Sequence, residues 1–387
     1  MTEWQKVRLG DVCDIFNGST PLKTNDDYWK GGNIPWFKVD DIKTNGRIIK
    51  KTKLKITQKA LDETSVKILP KNTILLCCTA SVGEYALTDI ELTTNQQFNG
   101  LVVKNENELF YKYLFWVCST LKKVLLKKSG KAVIDFVSIT KLKDILIPLP
   151  SIKVQEKIVK ELDAVGELIE KQKQLLKEQD NLIKSAFYDL FGDPVASNKF
   201  LRDILKEKGS WQTGGTPSRK CPEYFNGEHP WITTTSLGKT YISELNAVDY
   251  ISDEGVKNSS TKIIPSNSLL FGIRVGVGKT SINTCPICTS QDIVSFTPRN
   301  NDYNLIYLHF FFEFIKGHIL KKARGATIKG ITTDILKETS VITPPIDLQN
   351  RFASIVEKIE GQKTTIQKSL EESQALFSAL MAKYFEE

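Results

Sequence analysis

The chain of 387 residues has only three histidines, and no segment approaches 18 uninterrupted apolar residues. A membrane-spanning helix is therefore not expected. The first residues, MTEWQKVRLGD, lack the apolar core of a signal peptide, so we expect a cytoplasmic protein. The histidines, His229, His309 and His318, are scattered, and the last two fall in an apolar segment that favours packing or surface roles.

Cysteine is also sparse. The seven cysteines are odd in number and irregular in spacing, which favours reduced thiols over a disulfide framework. The segment CPIC, 285–288, resembles half a zinc site, but zinc requires four ligands. No metal site is expected.

The segment GIRVGVGKT, 272–280, ends as a phosphate-binding loop ends, but its spacing is wrong. Such a loop needs a glycine five places before the glycine of Gly-Lys-Thr, and that place is Ile273. The predicted alternative is a tight turn at the end of a strand, where glycine permits an unusual φ.

Most of the chain consists of an internal sequence repeat with an offset of 195 residues. SVKILPKNTILL (65–76) aligns with STKIIPSNSLLF (260–271), and LPSIKVQ (149–155) aligns with PPIDLQ (344–349) after a small gap. The same register pairs Gln96 with Gln291 and Gly83 with Gly278. Lys279 is matched by Glu84, which a phosphate-binding loop would not tolerate. The repeat thus argues independently against a nucleotide site.

The first part of each repeat has mixed character. Short apolar runs such as TILLCC and SLLFGI predict strands, and turn signals separate them. The segments 109–126 and 307–323 each predict one helix. Each first part is therefore expected to be an α+β domain with its own core.

The second part of each repeat predicts one long helix, because apolar residues recur every seven positions on two rows. The pair is expected to form a two-helix coiled coil; a helical hairpin packed on a core is the alternative. The rows of the first helix are Leu162, Ile169, Leu176, Ile183 and Leu190, with Ile158, Val165, Gln172, Gln179 and Ala186. Those of the second are Phe352, Ile359, Ile366, Ser373 and Leu380, with Ile355, Gln362, Ser369, Leu376 and Lys383.

The net charge of +8 is not carried by the helices. Residues 152–191 sum to −1 and residues 346–387 to −2, so the excess of positive charge lies in the two domains. Two basic domains joined by helices suit a long polyanion, with backbone charge giving affinity and base edges giving specificity.

The repeated order of domain and helix resembles the specificity subunit of type I restriction–modification enzymes. The likeness is carried by GSTP…YWKGGNIPW with GGTP…YFNGEHPW, ASVG with VGVG, and ILIPLPSIKVQEKIV with VITPPIDLQNRFASIV. It covers the chain from Trp4 to the C-terminal helix.

The resemblance implies an α+β fold in which two similar α/β target-recognition domains are separated by two long antiparallel helices, a coiled-coil spacer, with a pseudo-two-fold internal repeat. The implied boundaries are residues 1–150 and 195–344 for the target-recognition domains, and 151–191 and 345–387 for the spacer helices.

The resemblance also implies a function. Each domain would read one half of a split site in double-stranded DNA, and the helices would set the spacing and dock two methyltransferase subunits. Restriction subunits with ATP-dependent translocation would join them. S-adenosylmethionine, ATP and Mg would bind to those partners, and this chain would bind no cofactor and catalyse nothing.

The residues agree with a non-catalytic role, since neither NPPY nor DPPY occurs, and TPPI (343–346) is the join to a helix. Three alternatives stay open at this point. The first is a fused restriction–methylation enzyme, which would need hundreds of further residues. The second is a coiled-coil scaffold that binds only protein, and the third is a phase-variable or orphan specificity subunit.

Three regions of each domain are candidate DNA contacts. The first is the loop after the Ser/Gly-Thr-Pro turn, namely Thr20, Lys23 and Thr24, with Thr216, Ser218, Arg219 and Lys220. The second is the glycine turn and the polar strand end, namely Ser81, Asn95, Gln96 and Gln97, with Arg274, Lys279, Gln291 and Asp292. Arginine can grip guanine and Gln or Asn adenine by paired hydrogen bonds, although the two repeated glutamines are equally consistent with strand-end hydrogen bonding.

The third region is expected to bind phosphates. It is the basic join after each apolar helix, namely Lys127, Lys128 and Lys131, with Lys322, Arg324 and Lys329.

Overall fold

The computed structural model describes residues 4–79, 81–128, 137–322 and 330–385. The chain divides into two compact units. The first is Met1–Lys171 with Leu370–Glu387, and the second is Gln172–Ser369. Each unit holds one sheet-rich head and part of each of two long helices, so the predicted α+β class is confirmed.

The first half of the chain contains ten strands and seven α-helices among its described residues. In chain order they are β1 (Lys6–Arg8), α1 (Leu9–Val12), β2 (Cys13–Asn17), β3 (Ile34–Phe37), α2 (Asp40–Asn45), β4 (Ile48–Ile49), β5 (Leu54–Ile56), α3 (Gln58–Glu63), β6 (Ile74–Cys77), β7 (Tyr85–Thr88), β8 (Thr93–Thr94), β9 (Phe98–Val103), α4 (Tyr111–Thr120), α5 (Lys122–Lys128), α6 (Ile139–Lys143), β10 (Leu146–Pro148) and α7 (Ile152–Phe191).

The second half repeats this order with few changes. Its elements are β11 (Arg202–Ile204), β12 (Gly209–Thr213), β13 (His229–Ile232), β14 (Tyr241–Ile242), β15 (Asp249–Ile251), α8 (Asp253–Lys257), β16 (Ile263–Ile264), β17 (Leu269–Gly272), β18 (Thr280–Asn283), β19 (Ile287–Thr289), β20 (Ile293–Pro298), α9 (Leu305–Leu320), α10 (Thr333–Lys337), β21 (Ser340–Ile342) and α11 (Ile346–Phe385).

The two heads share the topology of their main sheet. The main sheet of the first head has the order β2-β9-β6-β7-β4, and that of the second has β12-β20-β17-β18-β14. The predicted strands TILLCC and SLLFGI form β6 and β17, which lie inside these sheets with every residue buried. A continuous apolar run of that length suits a strand covered on both faces. The repeat seen in the sequence is thus a repeat of structure.

An apolar helix covers one face of each main sheet. In the first head Phe115 of α4 packs against Tyr85 of β7, with ring centroids 5.1 Å apart. In the second head Phe312 of α9 packs against Phe271 of β17, with centroids 4.8 Å apart. These buried rings anchor the strand ends from which the candidate contact residues project.

The prediction of one helix over 109–126 is wrong, because the helix breaks at Leu121 between α4 and α5. The hydroxyls of Ser119 and Thr120 donate to backbone oxygens three residues earlier, at 2.6 and 2.8 Å. Such bonds compete with the helical ladder. The second head has Glu313 and Phe314 at the matching positions, and α9 continues unbroken.

The two long helices have 40 residues each, and they pair in antiparallel fashion. In the second unit Gln172 Nε2 donates to Ser369 Oγ at 2.9 Å, and Lys363 Nζ lies 2.8 Å from Asp180. The partner number falls as the residue number rises, which defines the antiparallel sense. Helix α7 ends at Phe191, and the next residue, Gly192, has a φ of +79° and forms the left-handed cap that glycine favours.

One of the predicted heptad rows is wrong. On α11 the row that includes Gln362 and Leu376 lies at the edge of the helix pair, where Ser369 still reaches Gln172 but Leu376 is 51% exposed. The inward row lies one residue later and contains Val356, Leu370 and Phe377, of which Leu370 is 6% exposed. The shifted row buries more apolar surface, which decides the register.

No helix within the described ranges combines the length and the apolar character needed to cross a membrane.

Candidate nucleic-acid interface

The first and second candidate regions meet in both heads through the same pair of side chains. The Thr20 hydroxyl donates to Gln96 Oε1, and the Thr216 hydroxyl donates to Gln291 Oε1. Both glutamines are exposed at the strand end just before β9 or β20. The threonine therefore fixes which end of each carboxamide faces outward.

A buried tryptophan holds the threonine loop from beneath. Trp36 Nε1 donates to Ser19 O, and Trp231 Nε1 donates to Gly215 O, both at 3.1 Å. These indoles are 3% and 4% exposed, so they support the loop and do not reach a ligand.

An open cleft of about 630 Å³ is lined by five of the ten candidate residues of the first head. Sequence reasoning missed Trp29, Lys38 and Asp40, which also line it; Lys38 Nζ lies 2.9 Å from Asp40 Oδ2. The sequence could have identified Lys38 and Asp40, because the second head has Thr233 and Thr235 at the matching positions. The two heads thus differ in chemistry there. The predicted residues in this cleft are Thr20, Lys23, Asn95, Gln96 and Gln97.

The polar side chains next to Gln96 are already paired with each other. Asn95 Oδ1 accepts the Gln97 backbone N–H at 3.1 Å, and Asn95 Nδ2 donates to Gln97 Oε1 at 3.0 Å. Asn95 is only 9% exposed, so it acts first as a turn residue. Thr24 and Ser81 are exposed, Ser81 in the glycine turn.

In the second head Arg219 is held by its own neighbours. Its guanidinium lies 3.9 Å from the centre of the Phe225 ring, and Nη1 lies 2.6 Å from Asp249 Oδ2. These contacts with a ring and a carboxylate stabilise the loop, and they compete with any contact between the guanidinium and a base. Ser218 and Lys220 beside it are exposed.

Arg274 is less tightly held than Arg219, although the two side chains are similarly exposed, at 60% and 57%. Its Nη1 lies 3.8 Å from Asp292 Oδ1, which orients the guanidinium without enclosing it. Lys279 is half-buried near Gly276 of the same turn. The second region thus presents one exposed guanidinium steered by a carboxylate.

The glycine turns have the predicted unusual backbone. Gly83 and Gly278 have φ of +86° and +78°, and each donates its N–H at 3.0 Å to the carbonyl six residues earlier. A Cβ on Gly83 would lie 2.7 Å from Lys122 Cβ, and one on Gly278 2.8 Å from Lys316 Cγ. The turns therefore press against the helices that lead to the third, basic region.

Thr280, the last residue of the loop-like GIRVGVGKT, faces inward. Its hydroxyl lies 2.8 Å from His309 Nδ1, and both residues are buried. Burial lowers the pKa of His309 to about 4, so this imidazole is neutral and serves packing, as predicted. A buried threonine cannot hold a nucleotide-bound metal.

The third region is only partly described. Lys127 and Lys322 are exposed, and Lys128 is the last residue of α5. Lys131, Arg324 and Lys329 lie outside the described residues.

The cysteines of CPIC are built into the small sheet of the second head. Cys288 is buried in β19 beside Trp231, and burial raises the pKa of its thiol to about 12. No cluster of three or more His, Cys, Asp or Glu suited to a metal occurs in the part of the chain that the structure describes.

Comparison with known proteins agrees with the repeat. The profile of the family described as Type I restriction modification DNA specificity domain matches residues 1–178 and again residues 197–373. The MjaIX type I restriction enzyme specificity subunit of Methanocaldococcus jannaschii is 27% identical over 411 residues, covering 98% of this chain and 92% of that subunit. The EcoR124I/EcoR124II specificity subunit of Escherichia coli is 28% identical over 284 residues, covering 69% of this chain and 67% of its own.

Solved structures share the fold. The S subunit of a type I restriction-modification system from M. genitalium superposes with a TM-score of 0.61 at 15% identity, covering 100% of this chain and 96% of that one. A chain from a study of complex assembly in the type I R-M system gives 0.60 at 18% identity, with coverage of 100% and 98%. Since the family profile matches both halves and accounts for most of the residues, the chain belongs to the family of type I restriction modification DNA specificity domains.

Proposed function

We propose that this chain is the DNA-recognition subunit of a type I restriction–modification complex. The heads, residues 1–150 and 195–344, are its target-recognition domains, and each reads one half of a bipartite site. The helices, residues 151–191 and 345–387, set the spacing between the half-sites and dock the methyltransferase subunits. The chain itself catalyses nothing.

One observation carries the proposal. Both heads place a Thr–Gln pair on the same frame of strands, while the adjacent surface differs in chemistry. Lys38 and Asp40 of the first head correspond to Thr233 and Thr235 of the second. Two heads built alike but with different polar groups suit two different half-sites.

The chemistry belongs to partner subunits. Two methyltransferase subunits carry S-adenosylmethionine, and restriction subunits carry ATP and Mg and translocate the duplex. The complex acts on DNA in the cytoplasm. A protein-binding scaffold without DNA specificity, the alternative, would show no salt-dependent affinity for duplex DNA, whereas phosphate contacts make affinity fall steeply with salt.

The test is an exchange of heads. Residues 1–150 are replaced by the corresponding head of another family member, and methylated sites are mapped in cells that also express the methyltransferase. One half of the methylated sequence should change while the other half and the spacing stay. The matched exchange of residues 195–344 should change only the other half. A change in both halves, or in neither, would reject the proposal.

A further inference from the structure

We propose that Gln96 and Gln291 each donate Nε2 to a DNA phosphate, and that Thr20 and Thr216 orient the two carboxamides for this contact. The inference rests on the proposed function and gives these residues a sequence-independent positioning role. Base reading is left to the neighbouring side chains.

The orientation of the carboxamide carries the first step. A glutamine that reads adenine must turn both its oxygen and its nitrogen toward the same base, accepting from N6 and donating to N7. In both heads the oxygen Oε1 instead faces the threonine hydroxyl. The exposed end is therefore the Nε2 donor, which requires an acceptor such as a phosphate oxygen.

The surroundings of Gln96 also fit a phosphate. Gln96 stands between the large cleft and a smaller one that contains Ser65 and Lys67. Ser65 Oγ lies 2.9 Å from Ser19 Oγ, and Lys67 is exposed. A carboxamide donor, hydroxyls and an ammonium group on one surface are the groups that usually contact the DNA backbone.

The second head repeats these neighbours. Ser260 and Lys262 stand at the positions of Ser65 and Lys67, and both are exposed. Ser260 lies so close to Gly215 that a Cβ there would be 2.3 Å from Ser260 Oγ.

Repetition favours the phosphate over a base. The phosphate backbone is the same at every half-site, so a residue that binds it can be identical in both heads. The cleft on the other side of Gln96 contains Lys38 and Asp40, which the second head replaces by threonines. The repeated groups thus position the duplex, and the differing groups discriminate.

The decisive variant is Gln96→Ala in the full chain, assembled with its methyltransferase subunit. Binding is measured to a duplex carrying the mapped site and to an equally long duplex with both half-sites scrambled. We expect both affinities to fall about tenfold, since a hydrogen bond to a charged group contributes about 1.5 kcal/mol. The ratio of the two affinities should stay within about twofold.

Matched variants isolate the orienting threonine. Thr20→Val, which cannot donate, should weaken binding to both duplexes, and Thr20→Ser should restore it. Gln58→Ala removes an exposed carboxamide of the same head that is bonded to Asp62 at 2.8 Å, and it should change neither affinity.

Two outcomes overturn the inference. A loss confined to the specific duplex would make Gln96 a base reader, and unchanged affinity for both would make the Thr–Gln pair purely structural. A wild-type complex that binds both duplexes equally would instead refute the proposed function, while an equal loss in Gln96→Ala would still support the phosphate contact.

Discussion

Gln155 and Gln349 make equivalent sets of three hydrogen bonds, each within its own unit. Both lie in the first turn of a long helix and are fully buried. Gln155 Nε2 donates to the carbonyls of Glu108 and Pro150, and Oε1 accepts from Phe110 N–H, all at 2.8 Å. Gln349 Nε2 donates to Asp302 O at 3.2 Å and to Pro344 O at 2.8 Å, and its Oε1 accepts from Asn304 N–H at 2.9 Å. Each glutamine thus ties a helix to the head.

Gln155→Ala should lower the free energy of unfolding by about 2–4 kcal/mol, because it leaves buried backbone groups without partners. The measurement is denaturant unfolding of the full chain. Gln174→Ala on the solvent face of the same helix removes only a bond to Glu178 and should cost less than about 0.5 kcal/mol. Equal losses in the two variants would contradict the role of Gln155.

The register of the C-terminal helix predicts opposite results for two leucines. Leu370→Ala should cost about 2–4 kcal/mol, since Leu370 is 6% exposed, and Leu376→Ala should cost less than about 1 kcal/mol, since Leu376 is 51% exposed. Thermal or denaturant unfolding measures both. A larger loss of stability at Leu376 would contradict this register and favour the row predicted from the heptad pattern.

Gly278→Ala should destabilise the second head by about 1–2 kcal/mol, because it places a side chain at φ of +78° and against Lys316. Gly361→Ala is the control. Gly361 lies inside α11 with open space around it, so alanine should stabilise by about 0.5–1 kcal/mol. Opposite shifts in melting temperature are expected, and stabilisation at both sites would exclude a strained turn.

His309 should make stability depend on pH. Its pKa is lowered from 6.5 to about 4 by burial, so the unfolded chain binds a proton that the folded chain does not. Stability should therefore fall as pH drops from about 6.5 toward 4, by about 1.4 kcal/mol per unit. His309→Leu, which removes the titratable ring, should remove that component. Identical pH profiles for the two proteins would refute it.

Arg274→Ala should relax discrimination at one base pair of one half-site, by about 1–3 kcal/mol, because an exposed guanidinium can grip guanine. Methylation mapping measures this, and an unchanged pattern would reject a base-reading role. Arg219→Ala is the contrasting variant. Its guanidinium is stacked on Phe225 and paired with Asp249, so we expect a loss of about 1 kcal/mol in stability.

The candidate site was predictable where it depends on the repeat. The threonine loop and the repeated glutamine were both visible at matching positions, but their contact joins residues 76 and 75 positions apart in the two heads. Lys38 and Asp40 were missed because they follow a strand whose Pro and Trp residues have a structural role. They line the cleft only because the threonine loop is bonded to Trp36 in the folded head.

The sequence by itself determined the duplication, the two long helices, the left-handed glycine turns and the family, because these follow from local periodicity, backbone freedom and matched positions. Tertiary structure decided which face of the C-terminal helix turns inward and where the helix over 109–126 breaks. It also decided which polar groups already bond to neighbouring residues. Arg219 and Arg274 look alike in sequence. Their side chains are similarly exposed, at 57% and 60%. Only the Phe225 ring and the close Asp249 carboxylate around Arg219 distinguish it from Arg274, whose partner Asp292 lies 3.8 Å away.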